Sequence, residues 1–592
     1  MTSASRTQTT FASSSGLLPA LEGTDAQAPQ TTSPASIAIA STDAILKVFT
    51  VPEAPNSTLG QIEAKLSHDL AGFLRDNIAA LEKPLSDIEQ DFSQHKIPTT
   101  PRFVSDYVDE IMHTLVAHSV HTAAPSFIGH MTSALPHFVL PLSKIMVALN
   151  QNLVKIETSK AFTPLERQVL GMMHHLIYQR NADFYQAFQH QANTALGAFC
   201  SGGTIANITA LWVARNRLLQ PDGEFLGVHR HGLVRALRHY GFDDIAILVS
   251  ERGHYSLAKA ADLLGIGRAN IISIATTAHN KVDIKAMRAQ AEDLKRQNIR
   301  VMAIVGVAGT TETGNIDDLS ALADLATELD CHFHVDAAWG GASLLSSKYR
   351  HLLQAIERAD SVTIDAHKQM YVPMGAGMVL FKDPSASHAI VHHAEYILRQ
   401  GSKDLGSQTL EGSRPGMALQ VHACLQIIGQ QGYEILINRS IEMAHAFAAK
   451  INQNADFELT SAPELCILTY RYVPAIVQQA IGKLINSNNI AQIGGQTPVE
   501  CLERLQLLLD DLTQHIQKTQ RELGKSFVSR TRIPPASMPL RKSVVFRVVL
   551  ANPLTTEEII DAVLIEQANI ASAEQDVMPR LITLANAVLA QL

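Results

Sequence analysis

The sequence predicts an α/β fold: a doubly wound, mostly parallel sheet, preceded by a helical segment and followed by a small α+β domain. Two observations carry this. From about residue 191 to 383, short apolar runs alternate with helix-length amphipathic stretches, the pattern of parallel strands covered on both faces. Residues suited to chemistry then recur just after those runs, where an open α/β sheet collects its ligands.

Taken in order, residues 1–55 read as a disordered tail rich in Ser, Thr, Ala, Gln and Pro. The tail has no basic stretch leading into an apolar one. Arg6 is its only arginine, so neither a secretory signal nor a mitochondrial presequence is expected. Residues 56–125 read as helical. Leu59, Ile62, Leu66, Leu70, Phe73 and Leu74 recur at helical spacing, and Asp87 to Ala117 continues the pattern with breaks near Pro98 and Pro101.

Residues 126–415 form the large domain. Asp244–Ser250 reads as a strand followed by a helix from His254 to Leu264. Val301–Val307 reads as a strand followed by a helix from Ile316 to Glu328. Phe333–Val335 and Val362–Ile364 are short apolar strands. Residues 416–592 form the small C-terminal domain, with a helical stretch opening near Gly412–Gly432 and a strand at Ser543–Leu550.

Bulk properties narrow the function. The chain has 592 residues, 46% hydrophobic and 18% charged, with a net charge of −8. That balance fits an enzyme-sized protein and argues against a nucleic-acid surface. No run of eighteen apolar residues marks a membrane span. The five cysteines, Cys200, Cys331, Cys424, Cys466 and Cys501, form no CxxC pair, so reduced thiols in a cytoplasmic protein are expected. The 25 histidines include the pairs His174/His175, His332/His334 and His392/His393, but no HExxH or Cys-His spacing. No metal site is expected, and a metal-binding or scaffold role is disfavoured.

The chemistry centres on Lys368, which ends the run Ser-Val-Thr-Ile-Asp-Ala-His-Lys, and on Asp336, at the tip of His-Val-Asp-Ala-Ala. A lysine and an aspartate at the carboxyl ends of successive strands suit pyridoxal 5'-phosphate. The lysine holds the aldehyde as a Schiff base, and the aspartate keeps the pyridine nitrogen protonated. Cys200-Ser-Gly-Gly-Thr-Ile-Ala-Asn207 runs into a helical stretch. Its Gly202, Gly203 and Thr204 could offer helix N-terminal N–H groups to a phosphate. His254 could stack on the ring or simply cap a helix. Ala338 is small enough to let the ring lie flat. His367 could reach the phosphate or a substrate carboxylate, and Thr311 the ring hydroxyl.

With these residues in order, the chain resembles the group II pyridoxal-phosphate decarboxylases, which act on glutamate, aromatic amino acids and cysteine sulfinate. The resemblance runs from about Ala124 to Ala562. It is strongest in His334-Val-Asp-Ala-Ala-Trp-Gly-Gly341, Ala359-Asp-Ser-Val-Thr-Ile-Asp-Ala-His-Lys368 and Val545-Phe-Arg-Val-Val-Leu-Ala-Asn-Pro553. It implies fold type I of the pyridoxal-dependent transferases, with Lys368, Asp336 and His254 as catalytic residues. It also implies cofactor contacts from Thr311, Gly203 and Thr204, and Arg547 as receiver of the α-carboxylate. Family members are homodimers with interfacial active sites, and the helical N-terminal segment resembles the part that embraces the partner.

Where glutamate decarboxylases hold the distal carboxylate with glutamine and serine, this chain has His130 and Thr132, and an asparagine further on matches Asn152. A histidine able to carry positive charge near neutral pH suits an acidic amino-acid substrate. The stretch Glu157-Thr-Ser-Lys-Ala-Phe-Thr-Pro-Leu-Glu-Arg, with His367-Lys-Gln-Met-Tyr-Val-Pro-Met-Gly-Ala-Gly, resembles bacterial pyridoxal-dependent aspartate 1-decarboxylases and glutamate-decarboxylase-like proteins. The expected reaction is L-aspartate to β-alanine plus CO₂. Glutamate to γ-aminobutyrate and cysteine sulfinate decarboxylation are the alternatives. Carbon–carbon lyase or aminotransferase chemistry is disfavoured by the Arg547-containing motif.

One departure stands out. The family's tyrosine that reprotonates the substrate carbon has no counterpart between Ile397 and Gly432. The loop Gly401–Gly412 offers serines, a threonine and charges, and Tyr396 precedes it. The sequence leaves the proton donor unassigned and makes abortive transamination a side reaction to expect.

Overall fold

The structure is a computed structural model that describes residues 54–77, 83–192, 194–393, 401–486, 493–535 and 541–591. The tail expected over residues 1–55 lies almost wholly outside the described residues, and Tyr396 lies outside them too. The chain divides into two compact units, residues 1–61 with 94–110, and residues 62–93 with 111–592. In the described part of the first, Arg102 pairs with Glu110 at 2.5 Å.

The second unit carries the sheets. Strands β1 (Gly197–Cys200), β2 (Asp244–Ser250), β3 (Ile271–Ile274), β4 (Ile299–Val307), β5 (His332–Asp336), β6 (Ser361–Asp365) and β7 (Gly377–Phe381) form one seven-stranded sheet, in the order β1-β7-β6-β5-β4-β2-β3. Pairings from β6 across to β3 are all parallel, while β7 runs antiparallel to both β6 and β1. The expected doubly wound, mostly parallel sheet is present. Its strands are near-continuous apolar runs because both faces are covered: Ile245–Val249 and Met378–Phe381 are 2% exposed or less.

Helix starts are set locally. The Asp283 side chain accepts from the N–H groups of Lys285 and Ala286 at the head of Ile284–Arg296, and Asp318 accepts from Ala321 N–H at the head of Leu319–Glu328. Thr497 and Glu500 form a reciprocal cap on the long helix Pro498–Leu523, which ends at Gly524 in the left-handed region (φ 65°).

A second sheet, wholly antiparallel, contains β8 (Phe457–Ser461), β9 (Ile467–Tyr472), β10 (Ser529–Ile533) and β11 (Ser543–Val549), in the order β10-β11-β9-β8. Only β11 had an individual strand signal in the sequence, since the other three are only five or six residues long. Tyr470 packs against Phe447 and Phe546 with ring centroids 5.3 Å apart in each pair. The strip Ser126–Gly129 joins this sheet: Phe127 stacks on Phe527 at 4.8 Å, Ile128 N–H donates to Phe527 O, and Val549 N–H donates to Ile128 O. That docking brings Gly129 against Arg547. Among the described residues no helix is long and apolar enough to cross a membrane.

Candidate active site

A cavity of about 360 Å³ opens at the carboxyl ends of β2, β4, β5 and β6. Ser201, Gly202, Gly203, Thr204, His254, Thr311, Asp336, Ala338, His367 and Lys368 line it. Ten of its wall residues thus include nine that the sequence singled out. His130, Thr132, Asn152 and Arg547 are not among its lining residues, although Met131 is.

Asp336 ends β5 and is 6% exposed. Asn207 Nδ2 donates to its Oδ2 at 2.8 Å, and Ala338 N–H donates to its Oδ1 at 3.2 Å. Asn207 Nδ2 also donates to Ser256 Oγ, so its Oδ1 must accept, which it does from His334 Nε2 at 3.1 Å. His334 therefore carries its proton on Nε2 and accepts the Ser361 hydroxyl on Nδ1 at 2.8 Å. Ser361 Oγ accepts in turn from His332 Nε2 at 2.7 Å. From His332 through Ser361 and His334 to Asn207 the donors run toward Asp336, while Asn207 Nδ2 also serves Ser256 Oγ. Burial pushes both His332 and His334 well below the usual histidine range, consistent with neutral rings.

Lys368 follows β6, and its Nζ lies 3.0 Å from Asp365 Oδ2. Asp365 is 4% exposed, and its Oδ1 has no hydrogen-bond partner among the described residues. His367 donates from Nδ1 to Ala376 O at 3.1 Å, which leaves Nε2 3.7 Å from Asp365 Oδ2. His254 accepts Ser256 N–H on Nδ1, so its proton sits on Nε2. Burial first, then opposing neighbouring charges, leave its pKa below the usual value.

The residues present fit pyridoxal phosphate. Backbones close tightly around the glycine turn: a Cβ on Gly203 would lie 2.7 Å from Asp365 Oδ2, and one on Gly377 would lie 2.6 Å from Gly202 Cα. The turn opens the helix Gly203–Leu218, whose first N–H groups have no carbonyl partner within the helix. Ser201 N–H is taken by Glu411 Oε2 at 3.0 Å, which leaves the N–H groups of Gly203 and Thr204 at the helix start to face a phosphate if one is bound. Glu411 belongs to the Gly401–Gly412 loop, whose Leu405–Gln408 forms a short helical turn.

Arg547 on β11 is 7% exposed and binds the backbone of the lining residue Thr311. It donates from Nε to Thr311 O at 2.6 Å and from Nη1 to Gly129 O at 3.2 Å. Burial lowers its pKa to about 10. His130 Nδ1 accepts Thr132 N–H at 3.2 Å. Partial burial, with Arg547 and Lys368 nearby, lowers its pKa, which runs against the cationic histidine that the sequence suggested. Asn152 turns elsewhere: Nδ2 donates to Ser413 Oγ at 2.9 Å and Oδ1 accepts Val154 N–H at 3.1 Å. Asp365, Asn207, Arg252 and Tyr255 line the cavity without having been singled out. Asp365 and Asn207 lay inside quoted motifs, where spacing alone carried no signal for them.

Residues 64–473 match the pyridoxal-dependent decarboxylase conserved domain. The chain belongs to that family. A decarboxylase relative in Aliivibrio fischeri (strain ATCC 700601 / ES114), named aspartate 1-decarboxylase, is 60% identical over 542 residues, covering 92% of this chain and 97% of that one. The L-2,4-diaminobutyrate decarboxylase of Rhizobium meliloti (strain 1021) is 28% identical, over 64% of this chain and 71% of that one. Among solved structures, mouse CSAD in apo form superposes with a TM-score of 0.70 at 23% identity, over 86% of this chain and 99% of that one, which shows a shared fold. This decarboxylase is a pyridoxal-phosphate enzyme.

Proposed function

We propose that this decarboxylase removes the α-carboxylate of an acidic amino acid, converting L-aspartate to β-alanine and CO₂. The observation that carries the choice of aspartate is the 60% identity, along nearly the whole chain, to a protein named aspartate 1-decarboxylase. When bound, pyridoxal phosphate supplies a conjugated ring that takes up the electron pair left at Cα. The remaining work falls to the chain. Lys368 tethers the aldehyde, and Asp336, fixed by Asn207, holds a proton at the pyridine nitrogen. His254 covers the ring face. Gly203 and Thr204 hold the phosphate with His367 beside them, and Thr311 meets the ring hydroxyl. Arg547 has two donors committed to carbonyls, so Nη2 is the one it offers the α-carboxylate. By fixing where that carboxylate sits, Arg547 would select the bond that breaks.

His130, Thr132 and Asn152 are proposed to meet substrate in a homodimer whose sites are completed at the interface. The helix Val139–Leu149 supports dimerisation, since Ile145, Val147 and Leu149 are about half to two-thirds exposed on it. The sequence's reduced-thiol pattern supports a cytoplasmic setting. CO₂ release and product identification with aspartate, glutamate and cysteine sulfinate test the proposal. β-Alanine is expected as the dominant product, and preferred formation of γ-aminobutyrate or hypotaurine would reassign the substrate.

A further inference from the structure

We propose that Arg252 receives the side-chain carboxylate of the acidic substrate, an assignment that rests on the function proposed above. Arg252 lies in the tight turn after β2, where Gly253 N–H donates to Ser250 O at 2.7 Å. It is 4% exposed and lines the catalytic cavity. Its Nε and Nη2 are buried with no hydrogen-bond partner among the described residues. Burying a guanidinium with unmet donors is costly unless an anion completes it. The planar fork of arginine matches a carboxylate or phosphate.

Strand order separates those two anions. The Gly202–Thr204 turn packs on β6 and β7 through the Gly203–Asp365 and Gly202–Gly377 approaches. Arg252 follows β2, and β6, β5, β4 and β2 are successive neighbours. Three strand spacings, roughly 14 Å, therefore lie between the strand under the phosphate turn and the strand that carries Arg252. Asp336, at the end of β5, stands between them. The phosphate already has its donors at the other end of the cavity.

On the Arg252 side the next feature is the Gly309–Thr311 turn, which follows β4, the parallel neighbour of β2. Arg547 Nε binds Thr311 O in that same turn at 2.6 Å. The Arg547 guanidinium thus meets this turn from the second sheet, while Arg252 follows the strand beside β4 and lines the same cavity. The acid of the turn, Glu312, acts on Arg547 and His254. Its buried Oε2 also lacks a partner among the described residues, so it does not complete Arg252. A substrate with two carboxylates can pair with both arginines, whereas a monocarboxylate leaves Arg252 unmet.

The test compares wild-type holoenzyme with Arg252→Gln and Arg252→Lys. Calorimetry would give dissociation constants for succinate, a dicarboxylate without an amine, and for butyrate, a monocarboxylate. Cofactor absorbance, thermal midpoint and sedimentation mass would be recorded for each. Arg252→Gln should weaken succinate roughly 10- to 100-fold and leave butyrate unchanged, with Arg252→Lys between the two. Aspartate kcat/KM should fall mainly through KM. An unchanged succinate constant, equal losses for both acids, or a fall in mass with succinate binding intact would overturn the assignment. Should Arg252→Gln not fold, an Arg252→Lys protein with wild-type succinate-to-butyrate selectivity would overturn it equally. If the wild type binds succinate through Arg252 but releases no CO₂ from any acidic amino acid, the function proposal fails and the Arg252 assignment stands.

Discussion

Asn207 links two buried groups on β5: its amide donates to Asp336 at 2.8 Å, and its carbonyl accepts from His334 at 3.1 Å. One side chain thereby fixes both the orientation of the carboxylate lining the cavity and the tautomer of the histidine behind it. Asn207→Ala should leave three buried polar atoms short of a partner, on Asp336, His334 and Ser256. We expect a stability loss of about 1–3 kcal/mol, read from the denaturant midpoint, together with a lower kcat. A variant with unchanged kcat would show that Asp336 needs no such support.

Lys368→Ala should abolish turnover while leaving the fold intact. The expected signature is loss of the lysine-linked cofactor absorbance with an unchanged thermal midpoint within a few degrees. Full activity in this variant would remove Lys368 from the reaction.

Glu166 and Arg414 form a buried bidentate pair between the helix Phe162–Tyr178 and the segment that follows the Gly401–Gly412 loop, with side chains 1% and 7% exposed. Glu166→Ala leaves the guanidinium buried without its carboxylate. It should cost about 3–5 kcal/mol in equilibrium unfolding, far more than removal of an exposed pair such as Lys65–Asp76.

Acid should destabilise the enzyme through its buried histidines. His174 is fully buried, and burial lowers its pKa from 6.5 to about 4. Below pH 6.5 the unfolded chain binds a proton there that the folded chain refuses. The stabilisation is therefore present above pH 6.5 and lost as pH falls toward 4, on the order of 3 kcal/mol in all. His174→Gln should flatten part of the acid limb in a plot of unfolding free energy against pH. An acid limb identical to wild type would contradict this origin.

The sequence disclosed what periodicity and local motifs encode. Apolar runs marked β2, β4, β5 and β6, and strand-end residues marked Lys368, Asp336, His254 and the Gly202–Thr204 turn, all on one cavity. It did not disclose β8, β9 and β10, short runs that become one sheet only through the β9–β11 pairing, which joins Tyr470 to Phe546. Nor did it single out Arg252 or Asn207. The significance of Arg252 lies in burial without a partner, and that of Asn207 in a bond spanning 129 positions. For His130, burial and the neighbouring cations Arg547 and Lys368 lower the pKa, an environment that local sequence does not display.

The central claim is α-decarboxylation of aspartate by a Lys368-anchored cofactor. The most direct measurement follows uniformly ¹³C-labelled L-aspartate with the holoenzyme by NMR. The account predicts β-alanine with its three labelled carbons, plus one equivalent of labelled bicarbonate, and no signal with Lys368→Ala. Alanine from loss of the side-chain carboxylate, oxaloacetate without bicarbonate, or unconsumed aspartate would contradict it.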